Sequence, residues 1–106
     1  MKNYQLGSSR ESVLALFPNR TIKRVMLGEK EIGIIRMDED FFAFDAACPH
    51  RGASLLQGRI NGNGEIICPL HEYRFELKTG QVKAGLCPDL PVFKTELTDE
   101  GLLISI

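Results

Sequence analysis

The sequence has no long apolar run. Its longest uninterrupted stretch is Val13 to Phe17, far short of the roughly eighteen residues that cross a bilayer, so no membrane helix is expected. It has no surplus of charge: 13 basic against 14 acidic side chains leave a formal net charge of −1, which excludes a global cationic field for nucleic acid or anionic lipid and leaves partners to local patches. No G-x-G-x-x-G occurs, so direct dinucleotide binding and hydride chemistry are not expected. The first ten residues contain no apolar stretch of the kind a secretory signal needs, and a cytoplasmic location follows as the expectation. The three cysteines, Cys48, Cys68 and Cys87, are an odd number and too few for a disulfide framework. Metal ligation suits them better.

A length of 106 residues with 43% apolar and 25% charged side chains predicts one compact domain, residues 1–106, with a radius of gyration of roughly 13 Å. Ser9 is placed to cap a short helix over Arg10 to Phe17, with Val13, Leu16 and Phe17 on one face and Pro18-Asn19 ending it. From there the pattern is β. Thr21–Leu27 and Glu31–Met37 flank the turn Gly28-Glu29-Lys30, and after Asp38-Glu39-Asp40 the run Phe41 to Ala46 alternates at strand period. At the far end Phe93, Thr95 and Leu97, the turn Asp99-Glu100-Gly101, and Leu102, Ile104 and Ile106 make a closing hairpin. Short strands at close intervals predict an all-β fold, a small antiparallel sandwich or barrel with one short helix. The prolines, all three cysteines and both histidines concentrate between residues 46 and 91, which reads as a functional insert on the β base.

Within that insert, Cys48-Pro49-His50 and Cys68-Pro69-Leu70-His71 form C-x-H, seventeen intervening residues, then C-x-x-H. Four such positions coincide by chance in about one in a hundred thousand sequences of this composition. Pro49 and Pro69 fix φ, and Gly52 lacks a Cβ, as two short loops packed around a metal require. Between the loops, Asn61-Gly62-Asn63-Gly64 reads as a tight turn joining strands Gln57–Ile60 and Glu65–Ile67, a hairpin that would bring His50 and His71 together. Structural zinc is the rival occupant, although zinc fingers usually pair Cys with Cys and His with His, whereas here the two alternate within both knuckles.

The arrangement resembles the Rieske family. The likeness extends through Arg51-Gly52-Ala53, Leu55 to Gly58, Phe75 and Thr79-Gly80. It implies a [2Fe-2S] cluster with Cys48 and Cys68 on the inner iron and His50 and His71 on the outer one, near the protein tip. Two ferric ions, two sulfides and two thiolates sum to about zero charge, which eases reduction relative to four thiolates. The stretch Ala84-Gly85-Leu86-Cys87-Pro88 corresponds to the family's proline-containing covering loop. The high-potential respiratory members carry a further cysteine in each loop; Ala53 and Leu70 stand there, so that bridge cannot form. Tyr73 and Phe75 occupy the places of the serine and tyrosine that raise their potential, and Glu72 occupies the place of a usual glycine. A low-potential cluster is expected.

The resemblance further implies a soluble Rieske-type ferredoxin, a one-electron carrier that is not itself an enzyme. It would receive electrons from a flavoprotein reductase and pass them to a terminal oxygenase of the ring-hydroxylating kind or another redox protein. The alternatives are the small electron-transfer subunit of a nitrite reductase-like complex and a metal-stabilised binding or redox-sensor module. Arg51 and Glu72 are expected as exposed charges beside the histidines, paired or selecting the partner, and Cys87 as a small buried apolar residue.

Overall fold

The computed structural model describes residues 2–49, 52–70 and 72–106. Among these, ten strands and one short α-helix build two antiparallel sheets. In chain order they are β1 (Asn3–Leu6), α1 (Arg10–Leu16), β2 (Ile22–Leu27), β3 (Lys30–Met37), β4 (Asp40–Asp45), a 3₁₀ turn (Leu55–Gln57), β5 (Arg59–Ile60), β6 (Glu65–Ile67), β7 (Arg74–Glu76), β8 (Val82–Ala84), β9 (Val92–Thr98) and β10 (Gly101–Ser105). The base sheet runs β1-β10-β9-β4-β3-β2 and the smaller sheet β5-β6-β7-β8. The all-β architecture with one short helix is the one the alternation predicts, and the radius of gyration is 13.2 Å.

Helix α1 begins at a reciprocal cap: the Ser12 N–H donates to the Ser9 hydroxyl oxygen at 3.1 Å, and the Ser9 N–H donates to Ser12 Oγ at 3.0 Å. The helix is too short to persist alone and depends on what it packs against. Val13 and Phe17 are buried, the Phe17 ring meeting Phe41 edge-on at 5.7 Å. Leu16 points to solvent, contrary to the helical face expected for it, and Leu14 packs against the core instead. The reason lies in the partner surface. The guanidinium of Arg36 donates to the Leu14 and Phe17 carbonyls, both at 3.2 Å, and so fixes the rotation of the last helical turn on the sheet.

Strands β3 and β4 are walls between two cores. Ile32, Ile34, Phe41 and Ala43 face a first core shared with α1, Leu102 and Ile104. Ile35 and Phe44 face a second core with Leu55, Ile66, Phe75, Leu77, Leu90 and the two cysteines Cys48 and Cys68. The unbroken run Ile32 to Ile35 follows from burial on both faces of the strand. Four strands differ from the sequence expectation. β1 had no forecast and pairs with β10 from Asn3↔Ser105 to Leu6↔Leu102. β7 and β8, three residues each, were likewise unforeseen. The strand expected over Gln57–Ile60 is limited to Arg59–Ile60, because Leu55–Gln57 turns as 3₁₀, with the Gly58 N–H donating to the Leu55 carbonyl at 3.0 Å, and buries Leu55 beside the cysteines.

Candidate metal centre

Strand β4 delivers the chain to the first loop. Asp45 turns it outward by accepting the Ala47 N–H at 3.1 Å, and the Leu55 N–H returns to the Ala46 carbonyl at 2.8 Å. Inside this frame the Cys48 N–H donates to the Ala53 carbonyl at 2.8 Å, and the Gly52 N–H to the Cys48 carbonyl at 2.8 Å. The second loop leaves β6 and is closed by the same bond: the Cys68 N–H donates to the Tyr73 carbonyl at 2.7 Å. In each loop the bond runs from the cysteine to the fifth residue after it, and the fourth residue is left-handed, Gly52 at φ 72° and Glu72 at φ 55°. The two loops are therefore one backbone device used twice, and the left-handed residue lets each loop double back over its cysteine.

Both thiols sit in the floor of the site, Cys48 2% and Cys68 0% exposed, among Phe44, Leu55, Ile66 and Phe75. Two thiols placed in an apolar, water-excluding pocket on matching loops suit the sulfur half of a mixed donor set. The expected ligands His50 and His71, and the flanking Arg51, lie outside the described residues. Among the described residues no group of three or more His, Cys, Asp or Glu side chains gathers to hold a metal ion, so Cys87 does not join the other two cysteines in one.

A third loop stands beside the second. Its neck is fastened by the Val82 N–H donating to Asp89 Oδ1 at 3.0 Å and the Leu90 N–H donating to the Gly80 carbonyl at 2.7 Å. Farther up, Gly85 has φ 125°, and a Cβ there would lie 2.2 Å from Cδ2 of the Tyr73 ring. The loop thus rests directly on that ring. At its crest Leu86 is 94% exposed. Cys87 is half-buried rather than buried as expected, because the loop lies over the second core without entering it. Burial first, then the negative charge of Asp89 and the nearby Cys68 thiol, push its thiol pKa up.

Glu72 carries its charge to Arg59, with Nη2 to Oε1 at 2.7 Å and both side chains about two-thirds exposed. A pair in water at this exposure contributes at most about 1 kcal/mol. Nearby, Asn61 shapes the β5–β6 turn: its Oδ1 accepts the Asn63 and Glu65 N–H groups at 2.9 and 3.1 Å, and its Nδ2 donates to the buried Glu65 carboxylate at 2.7 Å. The turn forecast at 61–64 is present, and it sets the register that places Cys68 at the end of β6. Sequence reasoning missed the support from Tyr73 to Gly85. The only trace of it along the chain is a glycine in a loop, which does not say what approaches it.

Comparison with known proteins agrees with this arrangement. The sequence profile of the Rieske [2Fe-2S] domain matches residues 10–94. The ferredoxin component of an alkene monooxygenase system from Xanthobacter autotrophicus is 36% identical over 55 residues, 52% of this chain; the match spans 45% of that relative's length. The 3-phenylpropionate/cinnamic acid dioxygenase ferredoxin subunit of Photorhabdus laumondii subsp. laumondii is 39% identical over 77 residues, 72% of this chain and 73% of that protein. A chain in the solved complex of reduced oxygenase and oxidized ferredoxin in carbazole 1,9a-dioxygenase superposes with a TM-score of 0.79 at 26% identity, covering 97% of this chain and 92% of its own. No helix among the described residues is long and apolar enough to cross a membrane. Paired loops with buried thiols, mounted on a six-stranded base and matched by this profile over most of the sequence, lead to one assignment: the chain belongs to the Rieske [2Fe-2S] domain family.

Proposed function

We propose that this protein is a one-electron carrier, a Rieske-type ferredoxin, whose [2Fe-2S] cluster is held by Cys48 and Cys68 on one iron and by His50 and His71 on the other. The cluster supplies reversible exchange of single electrons when bound. The observation that carries the reading is the repeated loop, in which the same Cys N–H bond and the same left-handed residue recur around two thiols shut off from water. The protein's own contribution is to hold the thiolates in a rigid apolar floor and keep water from them. The histidines, one on each loop, are assigned to the solvent side, where they shorten the path to a docked partner.

The donor is a flavoprotein reductase and the acceptor a terminal oxygenase, a reading supported by the ferredoxin components of oxygenase systems among the relatives and by the solved ferredoxin–oxygenase complex. Such encounters are brief, with small interfaces steered by complementary charge. The potential is of the low type. Phe75 is fully buried and has no hydroxyl, so a donor that would stabilise the reduced state is missing at that place.

The test is anaerobic purification followed by iron and acid-labile sulfide analysis, absorption spectra and electron paramagnetic resonance before and after dithionite. Two irons, two sulfides and a paramagnetic reduced state are expected. A colourless protein holding zinc would overturn the reading.

A further inference from the structure

We infer that Tyr73 is the positioning residue that fixes the covering loop over the sulfur side of the cluster. The inference rests on the cluster assignment proposed above and goes beyond it, because it gives a side chain outside the proposed ligand set a supporting task at the site.

Tyr73 acts on both sides of the site. Its carbonyl accepts the Cys68 N–H at 2.7 Å, closing the second loop. Its ring meets Gly85 so closely that a Cβ on that residue would stand 2.2, 2.5 and 2.6 Å from three ring carbons. Contact at that distance leaves room for a hydrogen and for nothing larger. The covering loop is therefore fixed at the neck by Val82 to Asp89 and by Leu90 to Gly80, along β8 by the pairing of Ala84 with Arg74, and beyond that strand by the ring. The neck and β8 alone would permit the 85–88 segment to hinge, since it lies beyond Ala84, the last paired residue of β8, and its crest at Leu86 is exposed. The ring removes that freedom. Ligand loop and covering loop then move as one body, and the thiol of Cys68 stays shielded.

The consequence is electrostatic as well as steric. Reduction adds one negative charge to a centre that is nearly neutral when oxidised, so water reaching the sulfurs favours the reduced state and raises the potential. A side chain that holds the cap down therefore keeps the potential low and the cluster slow to dissolve.

The experiment uses the full-length holoprotein. Tyr73→Ala is expected to lose iron to a chelator faster by a factor on the order of ten and to titrate at a higher potential. Tyr73→Phe, which keeps the ring, is expected to restore both values. Gly85→Ala attacks the same contact from the loop's side and is expected to reproduce the alanine variant. Tyr73→Leu replaces that variant should it fail to fold, with the same two shifts expected. Iron loss and potential equal to the parent in Tyr73→Leu and Gly85→Ala would overturn the inference, as would a Tyr73→Phe that behaves like Tyr73→Ala, since the ring would then not be the supporting group. Absence of a [2Fe-2S] signature in the parent protein would instead overturn the proposed cluster, which separates the two failures.

Discussion

Gly52 and Glu72 hold the same place in two different loops: each is the fourth residue after a cysteine, each is left-handed, and each precedes the carbonyl that accepts that cysteine's N–H. One is a glycine and meets nothing within 4 Å where a Cβ would stand. The other carries a full side chain in a conformation that costs an ordinary residue roughly 1–2 kcal/mol.

The pair makes a prediction with opposite signs. Gly52→Ala introduces strain with no contact to offset it and should destabilise the protein by about 1 kcal/mol. Glu72→Gly releases strain, loses only an exposed ion pair with Arg59, and should be neutral or stabilising by up to about 1 kcal/mol. Thermal unfolding of the two holoproteins side by side checks this; a Glu72→Gly protein that melts several degrees below the parent would show that the Arg59 contact outweighs the backbone term.

The three cysteines should separate cleanly. Cys48→Ser and Cys68→Ser remove thiolates from the buried floor and are expected to abolish iron retention. Cys87→Ser, in the half-buried third loop, should keep the full iron and sulfide content. Metal analysis of the three purified variants decides it, and loss of iron in Cys87→Ser would require a different ligand set.

Much of this site was legible in the chain because its grammar is local. The C-x-H and C-x-x-H spacing, the two prolines and the Asn61 turn all act within a few residues, and so does the Ser9 cap. Even Glu72 was recognisable as a residue in a glycine's place, and its φ of 55° gives the reason. What escaped depends on distant partners. Strand β1 has only Tyr4 and Leu6 to mark it, and they acquire meaning through Ile104 and Leu102 across the ladder. Leu14 and Leu16 exchanged roles because the sheet surface, and Arg36 upon it, sets the helix rotation. The contact of Tyr73 with Gly85 joins two loops twelve positions apart, and no periodicity announces it.

Electron delivery should depend on the crest beside the second loop. Leu86 stands 94% exposed, and exposed apolar groups next to a redox centre favour docking by losing water on contact. Leu86→Asp should slow reduction of the terminal oxygenase several-fold, and Arg51→Glu should do so most strongly at low salt, while both leave the spectrum and potential of the free protein intact. Stopped-flow transfer rates measured against ionic strength test this, and rates unchanged in both variants would move the docking face elsewhere.

Restoring a donor at Phe75 should raise the potential. The ring is wholly buried in the second core, and Phe75→Tyr adds one hydroxyl at the place where high-potential members carry theirs. Protein-film voltammetry reads the shift directly; an unchanged or lower potential would mean that the new hydroxyl does not reach sulfur.

The most direct trial of the whole account is pulsed electron paramagnetic resonance on dithionite-reduced protein grown with ¹⁵N-histidine. Two imidazole nitrogens coupled to the reduced iron are the predicted result, one of them lost in each single variant of His50 or His71. A reduced centre with no nitrogen coupling, or a protein that never yields a paramagnetic signal, would contradict it.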